Sequence, residues 1–281
     1  MTDGRHDSAG WFDGIDPGDG ASAAAAVRDG SAENPAEWPA QAVDAGFADS
    51  EDEYYERLHE ATVRATREAV RERETADDQQ LIHTVRAMDD CERVANELAE
   101  RVAEWAGSRL DDAGTGVTYA RELADNDDDA PDDGLRSLAC RVRDLDDEAA
   151  SLRSRIERTA PELAPNLAAL AGPVLAARLI ALAGGLKQLA RKPSGTIQVL
   201  GAEEALFAHL RGQAPSPKHG VIFTHDAVRG THPENRGSAA RALAGKLAIA
   251  ARIDHYSGDR RPELETELHE RIERIQARDV E

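Results

Sequence analysis

Aromatic rings, cysteines, lysines and long apolar runs are all scarce in this chain of 281 residues. Aromatics make up only 4% of it, so its core must be built from Ala, Leu, Val and Ile, which suits helices better than a β-sandwich. The two cysteines, Cys91 and Cys140, lie far apart and in no CxxC spacing. That leaves no basis for a disulfide framework or a zinc site. Cys91 falls at a helix core position and reads as a small buried apolar residue. The opening MTDGRHDSAG has no apolar signal region. Residues 167–186 do resemble a membrane span, with Arg178 as their single charge. They also contain Pro173 and the Gly184-Gly185 pair, and a central arginine costs about 2.5–3.5 kcal/mol on insertion scales. A buried Ala/Leu helix and a cytoplasmic protein, without a membrane partner, are expected.

Positive charge is also in deficit: 34 Lys and Arg face 54 Asp and Glu, a net of −20, and lysine is rare beside arginine. The composition fits a folded protein of a salt-loaded cytoplasm, halophilic in character, where ionic strength screens the self-repulsion. The same salt weakens phosphate contacts, so RNA binding there must lean on shape, packing and partner protein. Against this background, residues 187–261 hold 12 basic and 6 acidic side chains. That window is therefore +6 and the remainder −26. A basic island in an acidic protein points to nucleic acid.

Catalytic motifs are missing. Gly245-Lys246 is followed by Leu247 and lacks the upstream glycine of a P-loop, and neither GxGxxG nor HExxH occurs. His209, His219, His225, His232 and His255 are scattered, and no nucleophile is placed beside His225-Asp226.

What is present is helical periodicity. Residues 1–50 are rich in Gly, Ala, Asp and Pro. With Tyr54 and Tyr55, they hold six of the eleven aromatics: Trp11, Phe12, Trp38 and Phe47 are the others. Such clustering predicts a small folded module, followed by a helix over about 52–73. Leu81, Thr84, Met88, Cys91, Ala95, Leu98, Val102 and Trp105 then repeat at heptad spacing, a seam about 37 Å long. Leu135, Leu138, Val142, Leu145, Ala149, Leu152 and Ile156 form a second seam of about 33 Å, expected to stop at Pro161. Two matched helices predict an antiparallel coiled-coil hairpin. Its leftover apolar surface would pair with a second copy.

The connection over 107–134 includes DNDDDAPDDG at 125–134. It fails as a calcium loop, with Ala130 at position six and Arg136 at position twelve, and reads as a solvated acidic linker. Beyond Pro161, helices are expected at about 167–183, 201–211, 235–254 and 263–278. Residues 196–200 and 220–223 have strand-like composition but are too short for a sheet.

Within the basic window, Gly201 opens a short helix whose first turn holds Glu203 and Glu204, a placement that also complements the helix dipole structurally. The stiff loop Pro215, Ser216, Pro217, Lys218, His219, Gly220 offers a lysine and a histidine to phosphate or base edges, or simply a surface charge. On the helix from Asn235, one face carries Arg241, Gly245, Ala248 and Arg252. Leu243, Leu247 and Ala250 should face the core, with Arg236 at the start and Lys246 beside the stripe. Small residues between two arginines would let an RNA backbone approach closely.

The blocks GPVLAARLIALAGGLKQLARKPSGTIQVLGAEEALFAHL, PKHGVIF and RGSAARALAGKLAIAARIDHYSG resemble the Nop domain of box C/D ribonucleoprotein core proteins and a spliceosomal relative. The resemblance covers about 163–278. More weakly, DDQQLIHTVRAMDDCERVANELAERVAEWA is similar to the first long helix of the archaeal members.

The resemblance implies a mainly α protein. It would have a short N-terminal module over 1–78 that binds fibrillarin and a coiled-coil hairpin over 79–160 that forms a homodimer. An all-α Nop domain would follow over 161–281. That domain would bind a composite of box C/D guide RNA and a ribosomal-type kink-turn protein. The hairpin seam contributes Leu98, Val102, Leu138, Val142, Leu145 and Leu152. Lys218, His219, Arg236, Arg241, Lys246 and Arg252 match the RNA-binding positions, and Gly201, Ala202, Glu203 and Glu204 stand where the family has GAEK at the interface with kink-turn protein and RNA. Glu204 replaces the family's lysine and Ala208 a frequent arginine. The N-terminal module shows little of the family's β-rich pattern. The implied role is a non-catalytic scaffold without metal or cofactor, for guide-directed ribose 2′-O-methylation of rRNA and tRNA. S-adenosylmethionine would bind fibrillarin. The alternative is a free-standing coiled-coil RNA-binding protein with no methyltransferase partner.

Overall fold

The computed structural model describes residues 10–31, 36–126 and 132–277, and among these it contains helices and no strand. They form two compact units, 1–76 and 77–281.

The first unit consists of α1 (Gly20–Asp29), α2 (Trp38–Asp44) and α3 (Glu51–Thr75). Asp19 starts α1 by accepting from the amides of Ala21 and Ser22, both at 3.1 Å. Ser50 and Glu53 start α3 as a reciprocal cap: Ser50 Oγ accepts from the Glu53 amide (3.2 Å) and the Glu53 carboxylate from the Asp49 amide (2.7 Å). Five of the six clustered aromatics form the core, and Tyr55 is exposed. Phe12, Phe47 and Tyr54 are buried, Trp11 meets Phe47 edge-on at 5.2 Å, and Trp11 Nε1 donates to the Tyr54 hydroxyl at 3.1 Å.

The second unit begins with α4 (Asp77–Gly107), α5 (Gly116–Asp125) and α6 (Asp133–Leu163). α4 and α6 form the expected hairpin, with Leu81, Met88, Ala95 and Val102 buried against Leu135, Val142, Ala149 and Ile156. The buried face is wider than an a/d seam, because Ile82, Val85, Ala99, Ala106 and Ala139 are covered as well. α5 accounts for the cover near the tip, and nothing in the 107–134 connection foretold it. Its apolar stripe is ten residues long, too short to hold a helix alone. Burial of Ala120, Leu123 and Ala124, and ion pairs from Arg121 to Asp146 (2.8 Å) and Asp147 (2.7 Å), hold it on α6. Residues 127–131 of the acidic run lie outside the described residues.

Pro161 does not stop α6, which continues to Leu163. The lost backbone bond is offset by burial of Ile156, Ala160 and Ala164 in the core. The helix expected over 167–183 is two: α7 (Pro165–Ala171) and α8 (Pro173–Ala183), bent by 116°. Gly172, at φ +77°, makes the corner, a conformation other residues rarely adopt. No single described helix is long and apolar enough to cross a membrane.

α9 (Leu186–Arg191), α10 (Ser194–Val199) and α11 (Glu203–Leu210) follow, then a 3-10 turn (Val221–Thr224) and α12 (Asp226–Arg229). Both segments of strand-like composition are therefore helical turns. α13 (Arg236–Tyr256) runs through the centre, and α14 (Glu263–Gln276) packs on it; residue 278 lies outside the described residues. Ala239, Ala240, Leu243, Ala244, Leu247, Ala250 and Ala251 of α13 are fully buried. One hydrophobic cluster runs from Leu81 in α4 to Ile275 in α14, so the core is continuous across residue 160.

A polar cluster inside that core ties three segments together. The Asp254 carboxylate accepts from the Asn166 amide (3.1 Å), Asn166 Nδ2 (2.6 Å) and the Leu167 amide (2.8 Å), which caps α7. Asn166 Oδ1 in turn accepts from the Arg261 amide at 2.6 Å. Both side chains are buried, so each donor depends on its partner. Asp254→Ala is expected to destabilise the chain by about 3 kcal/mol, since unpaired buried donors cost about 1–3 kcal/mol each. Urea denaturation measures it, and a loss within about 0.5 kcal/mol would remove the cluster from the fold's supports.

Candidate RNA and protein interface

The loop bearing Lys218 and His219 is held by hydrogen bonds to the segment 198–200. Gln198 Nε2 donates to the Lys218 carbonyl (2.7 Å), the Gly220 amide to the Gln198 carbonyl (2.9 Å), and the Val221 amide to the Leu200 carbonyl (2.8 Å). A Cβ at Gly220 would sit 2.0 Å from the Leu200 oxygen, so only glycine permits this approach. These bonds bring the two sequence-predicted groups together. Gly201 (φ +83°) and Gly220 line one open cleft of about 650 Å³ with Arg178, Leu182 and Phe223.

Phe223 organises this group of side chains and was missed in the sequence. The His219 ring stacks on it at 4.6 Å and 19°, and the Arg236 guanidinium lies 5.4 Å from its centroid. Arg236 Nε donates to the Thr231 carbonyl (3.0 Å), and the stem of Lys218 passes over Gly237. Its only sequence signal was an aromatic in PKHGVIF, in a chain with few.

α13 carries the remaining cations. Arg241 is exposed on α13, and Arg252 is exposed with Nε donating to the Ala190 carbonyl (3.2 Å). About 16 Å of helix separates them. Ala248 does not lie between them on the surface as expected: it is buried in the core, while Gly245 and Ile249 occupy the open arc. α13 is packed on most sides, so its exposed arc is narrow and Ala248 falls on the core side of it. Among the described residues no carboxylate pairs with Lys218, Arg236, Arg241 or Arg252, whereas Lys246 pairs with Glu267 of α14.

α11 stands out from the rest of the unit. None of its residues is buried, and Phe207 and Leu210 are 60% and 71% exposed. Its start is set by Ala202 and by Glu203, whose carboxylate accepts from the Gly201 amide at 2.9 Å. Glu203 and Glu204 occupy the first turn, where the helix dipole favours carboxylates. Phe207 and Leu210 thus put apolar side chains on the outside of the unit.

The expected dimer positions divide. Val102 and Val142 are fully buried inside the single hairpin, while Leu98, Leu138, Leu145 and Leu152 are half-buried at its flanks. His225 is held by backbone: Nε2 is 2.9 Å from the Leu170 carbonyl, and Nδ1 accepts from the Ala227 amide (3.1 Å). Among the described residues no His, Cys, Asp and Glu cluster is arranged to hold a metal.

A helical hairpin, a continuous helical core and, among the described residues, a basic face without carboxylate partners beside an exposed helix define an all-α class of protein. The profile of the Nop family, described as "snoRNA binding domain, fibrillarin", matches residues 74–277, and the chain belongs to that family. An uncharacterized NOP5 family protein of Methanocaldococcus jannaschii is 33% identical over 82% of this chain and 65% of its own length. Nucleolar protein 58 of Schizosaccharomyces pombe is 32% identical over 64% of this chain and 43% of its own. Nucleolar protein 56 of Dictyostelium discoideum is 42% identical over 43% of this chain and 22% of its own. The chain thus spans less than two thirds of these relatives. In a crystal structure of a fibrillarin/Nop5p complex, one chain shares the fold with a TM-score of 0.53 and 24% identity, over 94% of this chain and 98% of that one.

Burial, then Arg236, then Lys218 lower the pKa of His219 below its ordinary 6.5. The folded state therefore binds fewer protons than the unfolded one just below pH 6.5. Stability contributed by neutral His219 is complete above that pH and declines as pH falls. Imidazole titration by NMR should give a His219 midpoint below 6.5 that moves upward in Arg236→Ala. A midpoint at or above 6.5 would contradict the packing of these three side chains.

Proposed function

We propose that this chain is a non-catalytic scaffold of a box C/D guide ribonucleoprotein. It bridges a kink-turn RNA with its bound ribosomal-type protein to the methyltransferase fibrillarin, and so supports ribose 2′-O-methylation of rRNA and tRNA at sites chosen by guide pairing. The observation that carries this reading is the juxtaposition of the unpaired Lys218–His219–Phe223–Arg236 group with the exposed start of α11. A composite partner, RNA beside protein, needs a cationic face and an apolar face side by side. RNA phosphates would lie on Lys218, Arg236, Arg241 and Arg252, and the kink-turn protein on α11 from Gly201 through Phe207 and Leu210. Glu203 and Glu204 suit a partner surface with free donors. Membership of the Nop family supports the same reading.

The half-buried leucines at the flanks of the hairpin, Leu98, Leu138, Leu145 and Leu152, are the positions we assign to a homodimer. The methyl donor, S-adenosylmethionine, would be held by fibrillarin, and this chain would need no cofactor. The excess of carboxylates fits a cytoplasm of high salt. A second reading, a free-standing RNA-binding protein without a methyltransferase partner, draws on the N-terminal unit, whose described residues are helical with no strand.

Reconstitution in high salt of this chain, kink-turn protein, fibrillarin and a box C/D guide RNA, scored for methyl transfer to a matched target, separates the two readings. Transfer that disappears when the chain is omitted is the expected result. A stable RNA complex that recruits no fibrillarin would favour the second reading. Arg236→Ala combined with Arg241→Ala should weaken the RNA and kink-turn-protein complex by at least tenfold, and Phe207→Ala combined with Leu210→Ala should weaken its protein-dependent part alone. An unchanged complex in both variants would remove the site assignment.

A further inference from the structure

The proposed interface touches the groove between α13 and α14 only through Arg241. The groove is an open cavity of about 580 Å³ whose walls carry Arg241 and Lys246 from α13 and Arg271 and Arg274 from α14. Glu267 and Glu270 also line it, so its charged side chains sum to +2 in a chain of −20. Lys246 and Glu267 neutralise each other. Arg241 and Arg271 have no carboxylate partner among the described residues, and Arg274 donates only from Nε to the Glu270 carbonyl (3.1 Å). Arg271 and Arg274 are exposed, three residues apart on α14, and so share one face.

Gly245 is the second observation. It lies in the middle of α13, a 21-residue helix, where glycine is among the poorest residues. It does not adopt a positive φ, and a Cβ added there would meet nothing within 4 Å. Neither backbone conformation nor internal packing requires a glycine at this position. Its effect is to leave bare backbone as the floor of the groove, between guanidinium groups on both walls.

We infer that this groove binds an RNA sugar-phosphate backbone, and that Arg271 and Arg274 of α14 are phosphate-binding residues acting with Arg241. Guanidinium forks on opposing walls fit phosphate oxygens, and a side-chain-free floor admits a chain that must approach closely. A protein ligand fits less well. Its lining holds no aromatic residue, and its apolar side chains are only Ala242, Ile249 and Ile275 beside six charged ones. The Lys246–Glu267 pair ties the α14 wall to α13. The inference rests on the RNA-binding reading above and extends its cationic face from α13 onto α14.

The test is affinity of the full chain for guide RNA with kink-turn protein bound, measured across a salt series. Arg271→Ala with Arg274→Ala should weaken binding about tenfold and reduce the slope of log affinity against log salt by roughly 1.5, two phosphate contacts' worth. Gly245→Leu fills the floor without changing charge. It should weaken binding while the thermal midpoint stays level or rises, an outcome that a purely structural glycine would not give. Arg93→Ala with Arg101→Ala removes the same charge from exposed α4 positions and should bind as wild type.

If the α14 double variant keeps wild-type affinity and slope while Arg236→Ala loses binding, the groove is overturned and the wider reading stands. A wild-type chain that binds no RNA overturns both. An α4 control that falls as far as the α14 variant reduces the effect to net charge and overturns the groove. If the α14 variant instead loses kink-turn protein in the absence of RNA, at unchanged RNA affinity, the groove belongs to an acidic protein surface.

Discussion

The structure depends on the burial of α13. Alanines and leucines cover most of its circumference, and five other helices, α7, α9, α10, α12 and α14, find their places against it. Because the core is poor in aromatics, the helices approach closely through alanine. Close approach leaves α13 only a narrow exposed arc. Arg241, Gly245, Ile249 and Arg252 fall on that arc, whereas Ala248, one turn away in the same sequence stripe, falls inside.

Buried polar groups fix the ends of this arrangement. Asp254 near the end of α13 caps the start of α7, and Asp78 at the start of α4 accepts from the Leu186 amide at the start of α9 (3.1 Å). Each carboxylate satisfies amides that a short helix cannot satisfy for itself. Arg178 of α8, paired with Asp89 of α4 (3.1 Å), adds an ionic tie between the root of the hairpin and the helices that follow. The residue that spoke against a membrane span in the sequence therefore has a partner in the fold.

Charge is distributed with the same economy. Many of the arginines outside the basic window are paired with neighbouring carboxylates, as in Arg93 with Asp90 and Glu97 or Arg121 with Asp146 and Asp147. Among the described residues, Lys218 on the loop before the 3-10 turn and Arg236, Arg241 and Arg252 along α13 have no carboxylate partner. All four lysines, Lys187, Lys192, Lys218 and Lys246, lie in the basic window, a concentration that the net charge of −20 conceals. In strong salt such a face binds weakly by charge alone, so stacking on Phe223 and the exposed apolar end of α11 matter more than they would in dilute solution.

Periodicity alone determined the long helices: the heptads of α4 and α6 and the alternating faces of α13 are local properties of side-chain spacing. The basic window and its Lys218, His219, Arg236, Arg241 and Arg252 were legible for the same reason, since charge density is additive along the chain. Tertiary structure decided what local rules leave degenerate. α5 is too short to form alone and exists by packing on α6; Pro161 is carried through α6 by the burial around it; Gly172 and Pro173 turn one expected helix into two. It also decided that Phe223 would gather His219 and Arg236, that Lys246 would be spent on Glu267, and that α14 would wall a groove over Gly245. Those outcomes depend on contacts between residues distant in sequence, and no spacing rule encodes them.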